Sequence, residues 1–388
     1  MFSKIIEFVS KNETKKVDLL NKHKSRHLTI MEYENDLEQS SIFKEMKSSN
    51  SFKLLTNFSE NQLLSFLNRI QTYCIEATRR GPKTHLNWVD SCIILLVYYK
   101  SYWEIDKIAI VLKKSSYVIK TVIAKYREIF NKFLKNEWIE KKQRPLKNDT
   151  KFQYVGLNFD HTSIEIYKPH LEFNSAKRFY DGKNKIYALK KGVAILPTLG
   201  YAVFIFNSIN GSVSDYQDFK ENYIQLAEYL RKTENERITS RSIDDHISWY
   251  ITVDKGYIGD EIVDTPGIRK LIPFKTPQGI TENQHNNDVY SIHLIERFFG
   301  RMKSLWKITS SVYRNDKNSF NLDIDNCILL TNEHIRLFNL IDDDRLYYQA
   351  FIISEKQQKE EKSNKRKIQY ENYRAKKREK LLEEMERS

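Results

Sequence analysis

The apolar residues of this chain change their spacing once, near residue 150. From 87 to 134 the segments read as helices: "NWVDSCIILLVYYK" starts at a capping Asn87, and in "YVIKTVIAKYREIFNKFL" the apolar residues recur three and four positions apart, the period of a helix with a buried stripe. Beyond the charged, proline-containing stretch "KKQRPLKNDTK" (141–151) they form short alternating runs such as "YVGLNFD", "SIEIY" and "ISWYITVD", the period of strands. One period cannot serve both structures, because strand side chains alternate between faces and helical ones cluster on one side. The chain therefore divides into an all-helical part and a mixed part.

In the first part, residues 1–50 are polar and weakly patterned, and read as a short helix followed by a mobile segment. A helical domain spans 51–140. "SENQLLSFLNRIQTYC" is an amphipathic helix that Ser59 caps, with Gln62 completing a capping box. "RRGPK" (79–83) is a basic break, read as a linker or as an arm reaching into a DNA minor groove. Asn87 caps the next helix, "YWEIDKIAIVLK" follows as a short one, and "KSS" (114–116) ends it. Ser115 or Ser116 then caps a long basic helix. Two short helices, a tight turn and a basic third helix fit either a helix-turn-helix or a small structural bundle. As a helix-turn-helix it would offer Tyr117, Lys120, Thr121 and Lys125 to DNA.

The second part, 151–342, orders strands before alternating helix and strand, which predicts a mixed α/β domain of single-domain size. Its strands include "KIYALKKGVAILPTLGYAVFIFNS", turning at Pro197 and Gly200, and "IRKLIPFKT". Its helices are "SDYQDFKENYIQLAEYLRKT", "SIHLIERFFGRMKSLWKI" (291–308) and one around 324–340. The tail, 355–388, interleaves Glu with Lys and Arg; it reads as a solvated helix, or as import or nucleic-acid patches at "NKRK" and "RAKKREK".

The 388 residues carry 64 Lys and Arg against 51 Asp and Glu, a net charge of +13. That favours a polyanionic partner over a membrane, unless it only reflects a Lys-rich tail. The three cysteines, Cys74, Cys92 and Cys327, are too far apart in sequence for a metal-ligand motif and fit a reducing compartment. No signal peptide and no long apolar run is visible, so a soluble protein is expected. Serine-triad, phosphate-loop and dinucleotide signatures are also missing.

Three carboxylates stand out by position. Asp160 ends one strand, Asp254 ends another, and Glu296 lies on the flank of the 291–308 helix, sharing an edge with Gly300, Lys303 and Lys307. Two carboxylates about 4 Å apart repel by roughly 4 kcal/mol at an effective dielectric near 20, so a cluster needs a compensating cation. Mg²⁺ prefers such oxygen donors, and two ions about 3.5–4 Å apart suit phosphodiester cleavage. Asp215, at a helix start, is a rival for the second carboxylate or simply a cap. His161 is either a general base or a structural histidine.

The ordered motifs "FDHTSIEIYKP", "YDGKNKIYALK", "GSVSDYQDF", "VDKGYIG", "IPFKTP" and "IERFFGRMK" resemble the DDE transposase/nuclease domain of the PIF/Harbinger group and related bacterial insertion-sequence transposases. The region upstream resembles the helix-turn-helix that precedes that domain, and the likeness runs from about residue 52 to 340. It implies an α+β multidomain chain with an N-terminal helix-turn-helix, an RNase H-like catalytic domain and a charged helical tail. It also implies two Mg²⁺ or Mn²⁺ ions on Asp160, Asp254 and Glu296, and phosphate contact through Lys303, with Lys183 and Lys185 as further candidates. The implied partners are terminal inverted repeats, target DNA, further copies of the chain and a Myb-like helper. The place of action would be a nucleus in a eukaryote, or the cytoplasm for a bacterial insertion element. Ser214 stands where the family has His, and Ile292 where an arginine is frequent. These departures keep open a domesticated DNA-binding protein that no longer transposes. A basic interaction protein with an accidental acidic trio is the third reading.

Overall fold

The computed structural model describes residues 34–79, 86–141, 143–145, 155–169, 172–236, 248–254, 257, 269–271, 292–338 and 340, with isolated positions in the tail. Three expectations lie outside these residues: the helix at the very start, the greater part of the "RRGPK" break, and nearly all of the tail.

The first described elements are α1 (Ser41–Ser48), α2 (Phe52–Thr56) and α3 (Glu60–Arg79). Here the sequence reading is corrected, because α1 lies in the supposedly mobile segment. Ile42, Phe43 and Met46 put three apolar side chains on one face of an otherwise polar octapeptide, and all three are buried. Ser40 caps α1 by accepting from the Phe43 N–H at 3.1 Å. The buried Asp90 accepts from the Ile42 N–H at 3.0 Å and from the Ser40 hydroxyl.

Next come α4 (Trp88–Ser101), α5 (Ile105–Val111) and α6 (Ser116–Lys135). Asn87 and Ser115 cap α4 and α6 as their sequence positions predict, at 2.8 and 3.3 Å from the Val89 and Val118 amides. The Ser59 N–H donates to Gln62 Oε1 at 2.8 Å, one arm of the predicted capping box.

A mixed sheet follows, built from β1 (Val155–Glu165), β2 (Tyr180–Asp181), β3 (Ile186–Ile195), β4 (Ala202–Ile205), β5 (Ile209–Asn210), β6 (Tyr250–Thr252) and β7 (Arg269–Leu271). The order is β2-β3-β1-β6-β7, with β4 and β5 also pairing β3. β1 runs antiparallel to β3 and parallel to β6, and β6 runs parallel to β7. The two strands read from "YVGLNFD" and "SIEIY" are one: pairing with β3 continues unbroken through Asp160↔Val193 and His161↔Gly192 to Glu165↔Ala188. The polar residues at 160–163 are tolerated because their backbone groups stay in the ladder.

A short helix, α7 (Phe173–Lys177), precedes β2, and longer helices cover both faces of the sheet. On one, α8 (Asp215–Glu221) and α9 (Tyr223–Leu230) pack against Leu157, Phe159, Ala194 and Leu196. They were expected as one helix, but the chain breaks at Asn222, whose side chain bonds back to Asp218. On the other face, α10 (Ile292–Leu305) and α11 (Lys317–Leu337) pack against Ile164, Val193 and Ile195. α11 starts earlier than its apolar pattern suggested, because Asp316 caps it by accepting from the Ser319 N–H at 3.0 Å.

The same apolar cluster continues into α1–α6, so the helical part and the sheet share one core running from Ile42 to Leu340. Buried carboxylates of α11 tie the two parts together. Asp323 accepts from Tyr99 at 3.0 Å and Tyr313 at 2.8 Å and pairs with Arg127 at 3.2 Å. Glu333 accepts from Trp138 at 2.8 Å and from both terminal nitrogens of Arg69. Asp325 pairs with Lys191 of β3 at 2.6 Å and with Lys135 of α6 at 3.0 Å. Among the described residues no helix is long and apolar enough to cross a membrane.

Two outcomes follow for stability. Asp323→Ala strands Arg127, Tyr99 and Tyr313 without their shared acceptor and should cost about 3–5 kcal/mol in urea unfolding. Helical and sheet signals should be lost in the same transition, because the core is common to both. His334, on α11, is held down to about 4, first by burial and then by the positive charges of Arg301, Lys53 and Lys100. The unfolded chain therefore binds the extra proton between about pH 6.5 and 4. Stability present above pH 6.5 is lost as pH falls through that window, by roughly 3 kcal/mol. His334→Leu should flatten that slope relative to the wild type in pH-dependent denaturation.

Candidate active site

Asp160 sits at the middle of β1, at the point where its parallel neighbour stops. The last residue of β6, Thr252, pairs with Asn158, and the Thr252 hydroxyl donates to Asn158 Oδ1 at 2.9 Å. Both side chains therefore lie on the same sheet face. Two residues further along each chain stand Asp160 and Asp254. Alternation returns the side chain of Asp160 to that face, and the two backbones are about 4.8 Å apart where the strands pair. Among the described residues β6 stops pairing with β1 at Thr252, and apart from its ladder with β3, β1 next bonds at Glu165, whose carbonyl accepts from the Tyr313 N–H at 2.7 Å.

Burial pushes the Asp160 carboxyl up to about 6, and the negative charge of Asp215 acts in the same direction. The His161 N–H and ring and the Tyr257 hydroxyl pull the other way. Tyr257 donates to Asp160 Oδ1 at 3.1 Å and touches His161 Nδ1 at 2.7 Å; His161 Nε2 in turn is 2.7 Å from Asp218 Oδ2. Asp215 is paired with Lys190 at 3.0 Å, and Lys190 also donates to the Val213 carbonyl. The α8 cap is Ser214, which accepts from the Gln217 N–H at 3.1 Å. Asp215 is thus the first helical residue and the partner of a lysine, not the cap.

Glu296 stands on α10, the helix packed over the sheet face that carries Val193, the partner of Asp160. Its side chain is 52 % exposed and lies 3.3 Å from His293 Nδ1. Among the described residues no three His, Cys, Asp or Glu side chains form a group that could hold a metal ion. Asp160 and Asp254 each follow two residues after the paired Asn158 and Thr252, and Glu296 lies against His293.

The apolar stripe of α10 faces the core as its spacing predicts. On its flank Gly300 is buried. Lys303 is half-buried, seven residues from Glu296 and about 10 Å along the axis. Lys183 and Lys185 are exposed on the turn between β2 and β3. Lys185 lies eight residues along from Val193, about 26 Å from the level of Asp160, so neither lysine joins the carboxylates. On α6, Tyr117, Lys120 and Thr121 are exposed and Lys125 is half-buried.

Residues 159–332 match the family model of the DDE superfamily endonucleases. This stretch is a DDE superfamily endonuclease domain. It begins one residue before Asp160, takes in Asp254 and Glu296, and ends within α11. No curated protein and no solved structure matches the chain. DDE endonuclease domains act on DNA and generally use divalent metals. The carboxylates are separately suited to such an ion: their oxygens are hard donors, and a cation beside Asp160 would offset the desolvation that raises its carboxyl.

Sequence reasoning singled out none of Tyr257, Asp218 and Lys190. Tyr257 falls inside the quoted "DKGY" motif, and Asp218 lies three residues after Asp215 on the same helix. Their convergence on β1 depends on which strands neighbour one another, which local patterns do not carry.

Proposed function

We propose that the chain is a DNA transposase of the Harbinger-like kind, with an RNase H-like catalytic domain, that cuts element ends and joins them to target DNA. What supports this reading is the endonuclease family match over 159–332, together with the parallel pairing Asn158↔Thr252, after which Asp160 and Asp254 each follow by two residues. In it, Asp160, Asp254 and Glu296 hold two Mg²⁺ or Mn²⁺ ions. Those ions supply Lewis-acid stabilisation to the attacking and leaving oxygens of the phosphodiester. Glu296 leaves His293 to close on the pair when DNA enters. Lys303, on the same helix, holds a phosphate. Asp254 is favoured over Asp215 because the end of a strand is a stiffer platform for a metal ligand than the start of a helix.

The long helix α6, with Tyr117, Lys120, Thr121 and Lys125 at its outer N-terminal half, docks on the terminal inverted repeats in this reading. The protein acts as an assembly of several copies, with a Myb-like helper in a nucleus, or alone in the cytoplasm if the element is bacterial. A domesticated, non-transposing regulator is the second reading. It rests on Ser214, which serves as a helix cap here and has no imidazole to offer the substrate.

Glu296→Gln and Asp160→Asn should each abolish Mg²⁺- or Mn²⁺-dependent nicking of an end-bearing duplex while leaving its gel-shift affinity within about twofold; cleavage at the wild-type rate would sink the assignment. Asp254→Asn should do the same, whereas Asp215→Asn should retain measurable nicking. Lys120→Ala should weaken binding evenly across sequences and reduce the slope of log affinity against log salt by about 1. Binding without nicking by the wild-type chain, with all three carboxylates intact, would favour the regulator.

A further inference from the structure

We propose that His161 is a positioning residue for Asp160, anchored by Asp218 and acting through the hydroxyl of Tyr257. This rests on the reading of Asp160 as a metal ligand.

His161 follows Asp160 in β1, so the two side chains leave opposite faces of the strand and do not meet directly. Tyr257, three residues after Asp254, spans that division. Its hydroxyl lies 2.7 Å from His161 Nδ1 and 3.1 Å from Asp160 Oδ1. A phenol has one proton to give. When it donates to the carboxylate, its oxygen is left to accept from the histidine ring. At the far end of the chain the ring is held in place by Asp218, whose Oδ2 lies 2.7 Å from His161 Nε2.

The far end is built to stay in place. The side chains of His161 and Asp218 are 1 % and 4 % exposed. Asp218 uses its second oxygen to accept from Asn222 at 3.1 Å, at the break between α8 and α9. Phe159 meets the imidazole edge-on at 5.1 Å, and the Tyr257 ring stacks along it. Gly192, opposite His161 in β3, leaves the necessary room. A methyl group there would come within 2.9 Å of His161 Nε2 and 3.1 Å of Asp218 Oδ2. A residue needed only to fill the core would require neither the carboxylate nor the aligned hydroxyl. Partners of this kind, one bond removed from a metal ligand, set its orientation and basicity, and their loss typically costs about 10–100-fold in metal affinity.

The test is Mn²⁺ binding to the full chain, followed by electron paramagnetic resonance without DNA, alongside thermal unfolding. Tyr257→Phe keeps the ring and removes the hydroxyl, and Asp218→Asn keeps the shape and removes the charge. Each should weaken Mn²⁺ binding by about tenfold or more. Gly192→Ala, which crowds the imidazole, should do so as well. The melting point of Tyr257→Phe should stay close to that of the wild type. If Tyr257→Phe does not fold, Asp218→Asn reads the same link from its other end. Wild-type Mn²⁺ affinity in the folded variants would overturn the proposal, even if cleavage fell. Asp160→Asn separates this from failure of the underlying reading. If that variant also binds Mn²⁺ normally, Asp160 is no ligand and the positioning role falls with it; if it loses Mn²⁺ while the others keep it, only the positioning role falls.

Discussion

The three acidic residues of α11 are what the rest of the molecule depends on. Asp323, Asp325 and Glu333 are buried on a helix between the sheet and the N-terminal helices, and each is met by a cation from elsewhere in the chain. Removing a carboxylate from water is costly, and only well-placed partners offset it. These partners come from α3, α6 and β3, so satisfying the carboxylates fixes where the helical part stands on the sheet. Apolar contact alone would tolerate sliding, whereas paired charges have one arrangement. The contacts of α6 make the point: Arg127, Asn131 and Lys135, four residues apart, meet Asp323, Asn326 and Asp325 in turn.

Much of this was legible in the sequence. The change of period near 150 marked the passage from helices to strands, and the caps at Asn87 and Ser115 lie where the side chains said they should. The stripe of α10 is buried as its spacing required. What local pattern could not carry was pairing. Asp160 seemed to end a strand because polar residues follow it, yet those residues remain in register with β3. Residues 41–48 looked solvated because their three apolar side chains are few, but they lie on one face and a core was waiting for them. Lys183 and Lys185, named as further phosphate contacts, stand on the turn before β3, about 26 Å along that strand from the level of Asp160.

The site shows the same division. The choice of Asp160 and Asp254 followed from strand positions, and β1 and β6 are parallel neighbours whose pairing stops two residues before each. The chain Asp218–His161–Tyr257 joins residues from a helix, a strand and a loop that share no periodicity, so only the assembled fold brings it out. His161 was weighed as a base or a structural residue; its contacts give it a partner on each nitrogen.

The shared core also bears on how DNA would be measured. A DNA-reading module on a loose tether leaves the distance between recognition and chemistry to the tether. Here α6 is clamped along α11, and α11 lies against the strand that pairs with Asp160. If α6 reads DNA, helix and carboxylates form a rigid caliper. The cut would then fall at a set number of base pairs from the recognised sequence, and exchanging the helical part between such proteins would cut through a core and not through a linker.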